Sequence, residues 1–294
     1  MMPTPARSRP TSWWLSTLRR RAERMHDEHL DLSQPIVWES EEERHAAIKF
    51  FNAAYRAEES GVAQAHALAD DVRRWDPELA ECLVLYGNEE GWHKALLTDF
   101  LAYLGGDVQP MGRVTGTFYR LYGRAERMDT IVLTNLMFET IGSTTYRLAL
   151  RRAKHPAVKQ MLTILTRDES FHVPLNVHFL RLVLARDPDR RARVHLSRIY
   201  HLLYVALLAS AAASRRRAQR FDGIPFRVLA RAYGEQLGRL FVQEPDLGFA
   251  PSPVVLRAIG LRKKDLARGE GPSLLSADAA EAFADRARVV VEPL

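Results

Sequence analysis

The chain reads as an all-α protein built on four long antiparallel helices, with a long crossover between the second and third and further helices after the fourth. Three observations predict this. Glycine and proline are sparse between about Ser40 and Leu240. Apolar residues there recur at three and four, the period of a buried helical face and not of a strand. The connections between the four periodic segments run short, long, short, the order that two hairpins joined by a crossover require.

The first long helix is expected from about Glu41 to Arg74, with Phe51, Tyr55, Val62 and Ala69 on one face. Asp76-Pro77 supplies a cap and a first-turn proline for the second, which ends at Gly105-Gly106. Residues 108–126 form the crossover. A third helix follows from about Arg127 to Lys154, and His155-Pro156 turns the chain into a fourth that ends near Asp187-Pro188. Helices from about Arg190 to Arg220 and Pro225 to Phe241 pack outside these four. The division expected is an N-terminal arm at 1–40, a helical domain at 41–244 and a tail at 245–294 with one short helix after Ser276. No internal repeat of solenoid period is present.

Composition narrows the function classes. With 294 residues, 47% hydrophobic and 27% charged, the chain can bury a large core and is not a disordered segment. Its one cysteine, Cys82, excludes a disulfide framework and a CxxC pair, so any metal site must use histidine and carboxylates. The charge is +6 and almost all the cations are arginines, which reads as a solvated basic surface without a nucleic-acid partner. The N-terminal apolar stretch is too short and too polar for a signal-peptide core. The apolar run Ile199 to Ala213, which carries His201, falls short of the roughly 18 to 20 residues that span a bilayer. A cytoplasmic protein without a transmembrane segment is expected, with that helix buried or facing a second subunit.

The chemistry lies in NEEGWH and RDESFH, which give Glu90/His93 and Glu169/His172. Residues three apart share a helix face, so each pair can offer one ion a carboxylate and an imidazole. Two further such pairs, Glu23/His26 and Glu42/His45, stand in charged, exposed-looking surroundings. The first two are selected because each lies mid-helix with another glutamate in the middle of the preceding helix, Glu59 and Glu139. Glu139 is the only charge from Thr130 to Tyr146, and an ionised carboxylate buried there needs a cation or a shifted pKa. Periodicity from Tyr55 to Val62 admits Glu58 or Glu59, and Glu59 is the choice.

Four carboxylates and two histidines from two hairpins make the di-iron or di-manganese carboxylate pattern, with zinc the main competitor for such ligands. Glu89 and Asp168, each four residues before a histidine, are candidates to orient the imidazoles. Asn135 and Asn176 could line a pocket or brace a ligand, Tyr55 and Tyr86 read as core aromatics with bonded hydroxyls, and His66, His178, His195 and His201 read as structural.

The ordered set Glu59, Glu90-x-x-His93, Glu139 and Asp168-Glu169-x-x-His172 resembles the ligands of the ferritin-like di-iron oxygenases and oxidases, over roughly Glu41 to Pro188. This superfamily includes acyl-carrier-protein desaturases, p-aminobenzoate N-oxygenases, multicomponent monooxygenases and the ribonucleotide reductase small subunit. The EExxH and DExxH order and Asp187-Pro188-Asp189 are similar to the desaturases, while Glu139 followed by DExxH resembles the N-oxygenases. Leu165 stands where the N-oxygenases place an additional histidine, and Leu97 where the reductase subunit places its radical tyrosine. Ser143, beside Gly142 and one turn after Glu139, is similar to a hydroxyl residue near the di-iron centre of the monooxygenases and is the expected catalytic side chain.

The resemblance implies a ferritin-like four-helix bundle with two iron or manganese ions. It also implies O2-dependent hydroxylation, N-oxygenation or desaturation of a small organic substrate. A homodimer is expected from the apolar Ile199 to Ala213 helix, which suits pairing two subunits. No flavin, ferredoxin or Rossmann signature is present, so electrons would come from a separate donor. A ferroxidase is the alternative.

Overall fold

The computed structural model describes residues 9–25, 27–186 and 190–267, and every regular element among them is helical. The elements are α1 (Thr11–Met25), α2 (Glu41–Val72), α3 (Pro77–Tyr103), α4 (Arg113–Tyr122), α5 (Met128–Leu150), α6 (Pro156–Arg186), α7 (Arg190–Asp222) and α8 (Phe226–Gln243). After a 3-10 turn at Pro245–Leu247 come the short α9 (Pro253–Ala258) and α10 (Lys263–Ala267). His26, the Asp187-Pro188-Asp189 motif and the helix expected after Ser276 lie outside the described residues.

The long helices start where local chemistry dictates. Ser40 caps α2 by accepting from the Glu43 amide at 3.1 Å, and Glu41, Glu42 and Glu43 set negative charge at the positive end of the helix dipole. Asp76 caps α3 by accepting from Leu79 N at 3.0 Å, with Pro77 in the first turn. Gly105 ends that helix at φ 73°, a left-handed conformation that costs glycine nothing.

The helices α2 and α3 form one hairpin and α5 and α6 a second, and the two face each other through α2 against α5 and α3 against α6. Their interior is divided. One hydrophobic cluster gathers Leu68, Tyr86, Leu133, Leu136, Phe171 and Phe179. Another gathers Phe51, Phe100, Leu101, Met161, Leu162 and Leu165. Along every one of the four helices the residues between the two clusters are the polar ones: Glu58, Glu90 with His93, Glu139, and Glu169 with His172, all buried.

Two segments hold more structure than their sequence suggested. The N-terminal arm contains α1, which buries Trp14, Leu15, Thr17 and Leu18 and packs on α3. The crossover contains α4, whose glycine-punctuated sequence gives a weak helical signal. Here tertiary contact outweighs propensity: Tyr119 stacks on Phe138 at 6.1 Å and the Tyr122 hydroxyl donates to Asn135. Upstream, Asn52 donates to the Asp107 carbonyl and accepts from Gln109 N, fixing the start of the crossover to α2.

Outside the hairpins, α7 packs on α2 and α5, burying Leu196, Tyr200 and Tyr204. Within α7, Arg193–Asp222 is long and apolar enough to cross a membrane by length and composition, against the shorter run read from the sequence. Only 17% of that apolar window is buried in the fold, so most of it is not a core helix.

Phe51 is fully buried and meets Phe100 edge-on at 4.8 Å between ring centres. Phe51→Ala is expected to cost about 3 to 5 kcal/mol, read as a lower urea midpoint at unchanged slope. A loss below about 1 kcal/mol would contradict a close-packed core at this end of the hairpins.

Candidate metal centre

Each wall of the hairpin pair contributes to one buried group. Glu58 comes from α2, Glu90 and His93 from α3, Glu139 from α5, Glu169 and His172 from α6, and none is more than 6% exposed. They form two sets whose ligand atoms lie within 4.8 Å of one another: Glu58, Glu90, His93 and Glu169, then Glu90, Glu139, Glu169 and His172. Glu90 and Glu169 belong to both. Buried carboxylate and imidazole groups thus stand within metal-binding distance.

Two expectations need correction. Glu59 is not in this group: it faces outward and accepts from Arg56 Nη1 at 2.6 Å, while Arg56 also holds the Gln109 carbonyl. Glu58 occupies the interior instead, with Oε2 3.3 Å from His93 Nδ1. The spacing from buried Tyr55 to Glu58 to buried Ala65, three and then seven residues, carries the inner face. Arg56, one turn before Glu59, was the sequence signal for an outward ion pair. Ser143 is buried, but its hydroxyl donates back to the Thr140 carbonyl at 3.2 Å and does not line the cavity beside the cluster. It braces its own helix.

The electrostatics of the cluster are unfavourable as they stand. Burial together with the neighbouring Glu58 and Glu139 pushes Glu90 and Glu169 well above the ordinary carboxylate range. Glu58 and Glu139 move down: burial opposes this, but the closeness of the adjoining carboxyls and of His93 and His172 outweighs it. Even so, Glu58 Oε1, Glu90 Oε1, Glu139 Oε2 and both ring nitrogens of His172 are buried without a hydrogen-bond partner. His172 Nδ1 lies 3.0 Å from Glu90 Oε1, within ion-pair distance but out of hydrogen-bond alignment. Buried oxygen and nitrogen atoms left without a partner in such number suit a possible metal site. The Tyr86 hydroxyl donates to Glu139, and burial pushes its pKa far up, so it remains a donor.

A second polar layer backs the first, and its pairing crosses between the hairpins. Asp168 of α6 serves His93 of α3, with Oδ2 3.0 Å from Nε2, while Glu89 of α3 approaches His172 of α6 at 3.6 Å. Each imidazole therefore turns Nδ1 toward the cluster and Nε2 toward a carboxylate, an orientation suited to metal ligation. Burial alone would lower the His93 pKa, but Asp168 and Glu58 outweigh it and raise it to about 10. A metal at Nδ1 would displace that proton.

Both outer acids are held by arginines. Arg21 of α1 donates through Nε to Glu89 at 3.2 Å and through Nη2 to Asp168 at 2.7 Å, with its guanidinium 4.2 Å from the Phe171 ring centre. Burial favours the protonated Glu89, yet the charge of Arg21 prevails and brings it to about 2. Arg167 binds Asp168 at 2.6 Å and Glu28 at 2.7 and 2.8 Å. The third acid and histidine grouping, Glu89, His93 and Asp168, is therefore already filled by guanidinium. Arg21 was not foreseen, because the run Arg19-Arg20-Arg21 looks like a solvated face.

Beside the cluster lies a cavity of about 30 Å³ between α2 and α5, lined by the four inner carboxylates with Gly61, Gly142, Asn135, Phe138 and Tyr146 among others. Gly61 and Gly142 each follow a cluster glutamate by three residues. A Cβ on Gly61 would stand 2.9 Å from Glu90 Oε2, so glycine is what lets α2 pass the carboxylate.

Of the other residues the sequence raised, Asn176 donates to the His172 carbonyl, while Leu165 and Leu97 are buried in the hydrophobic clusters. His178 stacks on Trp14 at 5.8 Å and lies 3.1 Å from the Thr11 hydroxyl, away from the cluster. No known protein family matches this chain, and no curated protein is significantly similar to it.

Replacing Arg21 with Gln leaves Glu89 and Asp168 buried and underpaired, and is expected to cost about 3 to 5 kcal/mol of stability. Arg19→Gln, which breaks an exposed pair with Glu81, is expected to cost less than about 1 kcal/mol. Equal losses in urea denaturation would show that Arg21 does not clamp the outer layer.

Proposed function

We propose that this chain is an oxygen-dependent oxidoreductase of the ferritin-like di-iron type, with α2, α3, α5 and α6 as its four-helix bundle. The observation that carries the reading is the duplicated set, a glutamate followed by an ExxH pair on each hairpin, converging on one buried layer with unpartnered oxygen and nitrogen atoms. The donors fit two iron or manganese ions: hard carboxylate oxygens and imidazole, with no thiolate. Glu58 and His93 would hold one ion, Glu139 and His172 the other, and Glu90 and Glu169 would be shared.

Bound iron would supply the redox chemistry with O2 that hydroxylates, N-oxygenates or desaturates a small organic substrate. The chain supplies the rest. Asp168 and Glu89 fix the two imidazoles, and Arg21 and Arg167 keep those acids ionised. Tyr86 holds a proton at Glu139 Oε1 inside the centre. Helix α1 closes on the outer acids through Arg21, and Tyr122 of α4 holds Asn135 beside the cavity. Electrons would come from a separate donor or from the substrate itself. One observation favours a ferroxidase as the second reading: a cavity of about 30 Å³ has room for a molecule the size of water or O2 and not for an organic substrate without movement of its walls.

Iron titration under air is expected to saturate at about two ions per chain, the number a two-metal site requires. Oxygen consumption would continue only with a reductant or oxidisable substrate. Uptake of tens of irons per chain into a large assembly would support the ferroxidase reading, and less than one ion at saturation would overturn both.

A paired substitution tests the ligand set. Burial and the neighbouring Glu58 and Glu139 push the Glu90 pKa up, toward the neutral form that a glutamine mimics, so Glu90→Gln should change metal-free stability by less than about 1 kcal/mol. It should abolish the metal-dependent gain, about 3 to 4 kcal/mol at 100 to 1,000 times Kd. Glu59→Ala should leave that gain intact. Thermal melts with and without Fe(II) or Co(II) read both.

A further inference from the structure

The long helix α7 has two unlike faces. One buries Leu196, Tyr200, Tyr204 and Arg215 against the rest of the fold, and Arg215 donates there to Asp222. The opposite face is open. Along it, at successive spacings of three or four, run Arg198, Leu202, Val205, Ala209, Ala213, Arg216 and Arg220, all exposed. Leu202 is 66% exposed and Val205 54%, among the most exposed large apolar residues described. The stripe is apolar in its middle and cationic at both ends.

Among the described residues, the charges on this face have no partner. Arg198, Arg216 and Arg220 form no hydrogen bond or ion pair among the described residues, although many other arginines are paired. The only acidic residue of α7 is the buried Asp222. A second copy is a poor occupant. The stripe's positions are symmetric about Ala209, so an antiparallel pair centred on this face sets Arg198 against Arg220 and Leu202 against Arg216, and a parallel pair sets each arginine against itself. An anionic surface answers both features: apolar side chains enter below the headgroups while arginines at either end meet negative charge.

We propose that this face of α7 is a contact surface for an anionic lipid bilayer. The helix satisfies the length and composition for crossing a membrane, but its inner face is committed to α2 and α5, so it lies along the bilayer surface. From Arg198 to Arg220 the contact is roughly 33 Å long, at 1.5 Å per residue. It is independent of the metal centre, whose residues lie on other helices.

The test is co-sedimentation of the full chain with vesicles of phosphatidylcholine alone or with about 30% phosphatidylglycerol, a charge density sufficient to attract basic segments. Binding is expected to the anionic vesicles only and to weaken several-fold in high salt. Leu202→Asp with Val205→Asp should reduce it by about tenfold or more, and Arg216→Gln with Arg220→Gln should also reduce it. All four positions are exposed, and an unchanged thermal melt confirms that the variants fold. Absence of binding to anionic vesicles overturns the proposal, as does equal binding to neutral ones. A dimer in analytical ultracentrifugation that the Leu202 and Val205 substitutions dissociate, without vesicle binding, overturns it in favour of a second copy.

Discussion

Four buried carboxylates within reach of one another work against the fold that holds them. An ionised carboxylate taken out of water carries a penalty of several kcal/mol, and like charges at this range add to it. The hairpins tolerate the layer because apolar clusters close it off on both sides, one around Tyr86 and Phe179, the other around Phe51 and Phe100. The divided core is thus the structural cost of the site. Two hydrophobic cores hold the helices, and the polar layer between them is the part that gains most from a cation.

The outer acids show how one charge pattern serves two ends. Glu89 and Asp168 are as buried as the inner glutamates, yet their pKa values fall where those of Glu90 and Glu169 rise. The difference is the partner. Arginines fill the space around the outer pair, whereas the inner set faces itself, the imidazoles and the Tyr86 hydroxyl, with no cationic side chain but the histidines among them. Local charge balance separates the carboxylates already satisfied by guanidinium from those that a cation could still satisfy.

Much of this was legible in the sequence because it rests on helical period. The two ExxH pairs, the lone Glu139 and the capping residues Ser40 and Asp76 each carry a local signal, and the long helices begin and end within a few residues of where those signals place them. What escaped depends on neighbours far along the chain. Glu58 and Glu59 differ by about 100° on a helix, and Arg56 decides between them by drawing Glu59 to the crossover. Ser143 stands one turn from Glu139 but finds its acceptor in its own helix. Arg21 looks like one of three surface arginines until α1 is docked on α3. The helix α4 has little signal of its own and is held by Asn135 and Phe138.

The reach of Arg21 also bears on the order of assembly. It bonds Asp168 across 147 positions, while the cross-paired histidines require both hairpins in mutual register. Neither hairpin alone holds both ring nitrogens of its imidazole, and the outer acids are neutralised only after the first helix has closed onto the last of the four. Long loops must close before these contacts give anything back, so the polar layer belongs to the late, non-local part of folding. A nascent or half-folded chain would then offer scattered carboxylates and no organised pocket, and the complete arrangement would arise only in a chain that has finished folding.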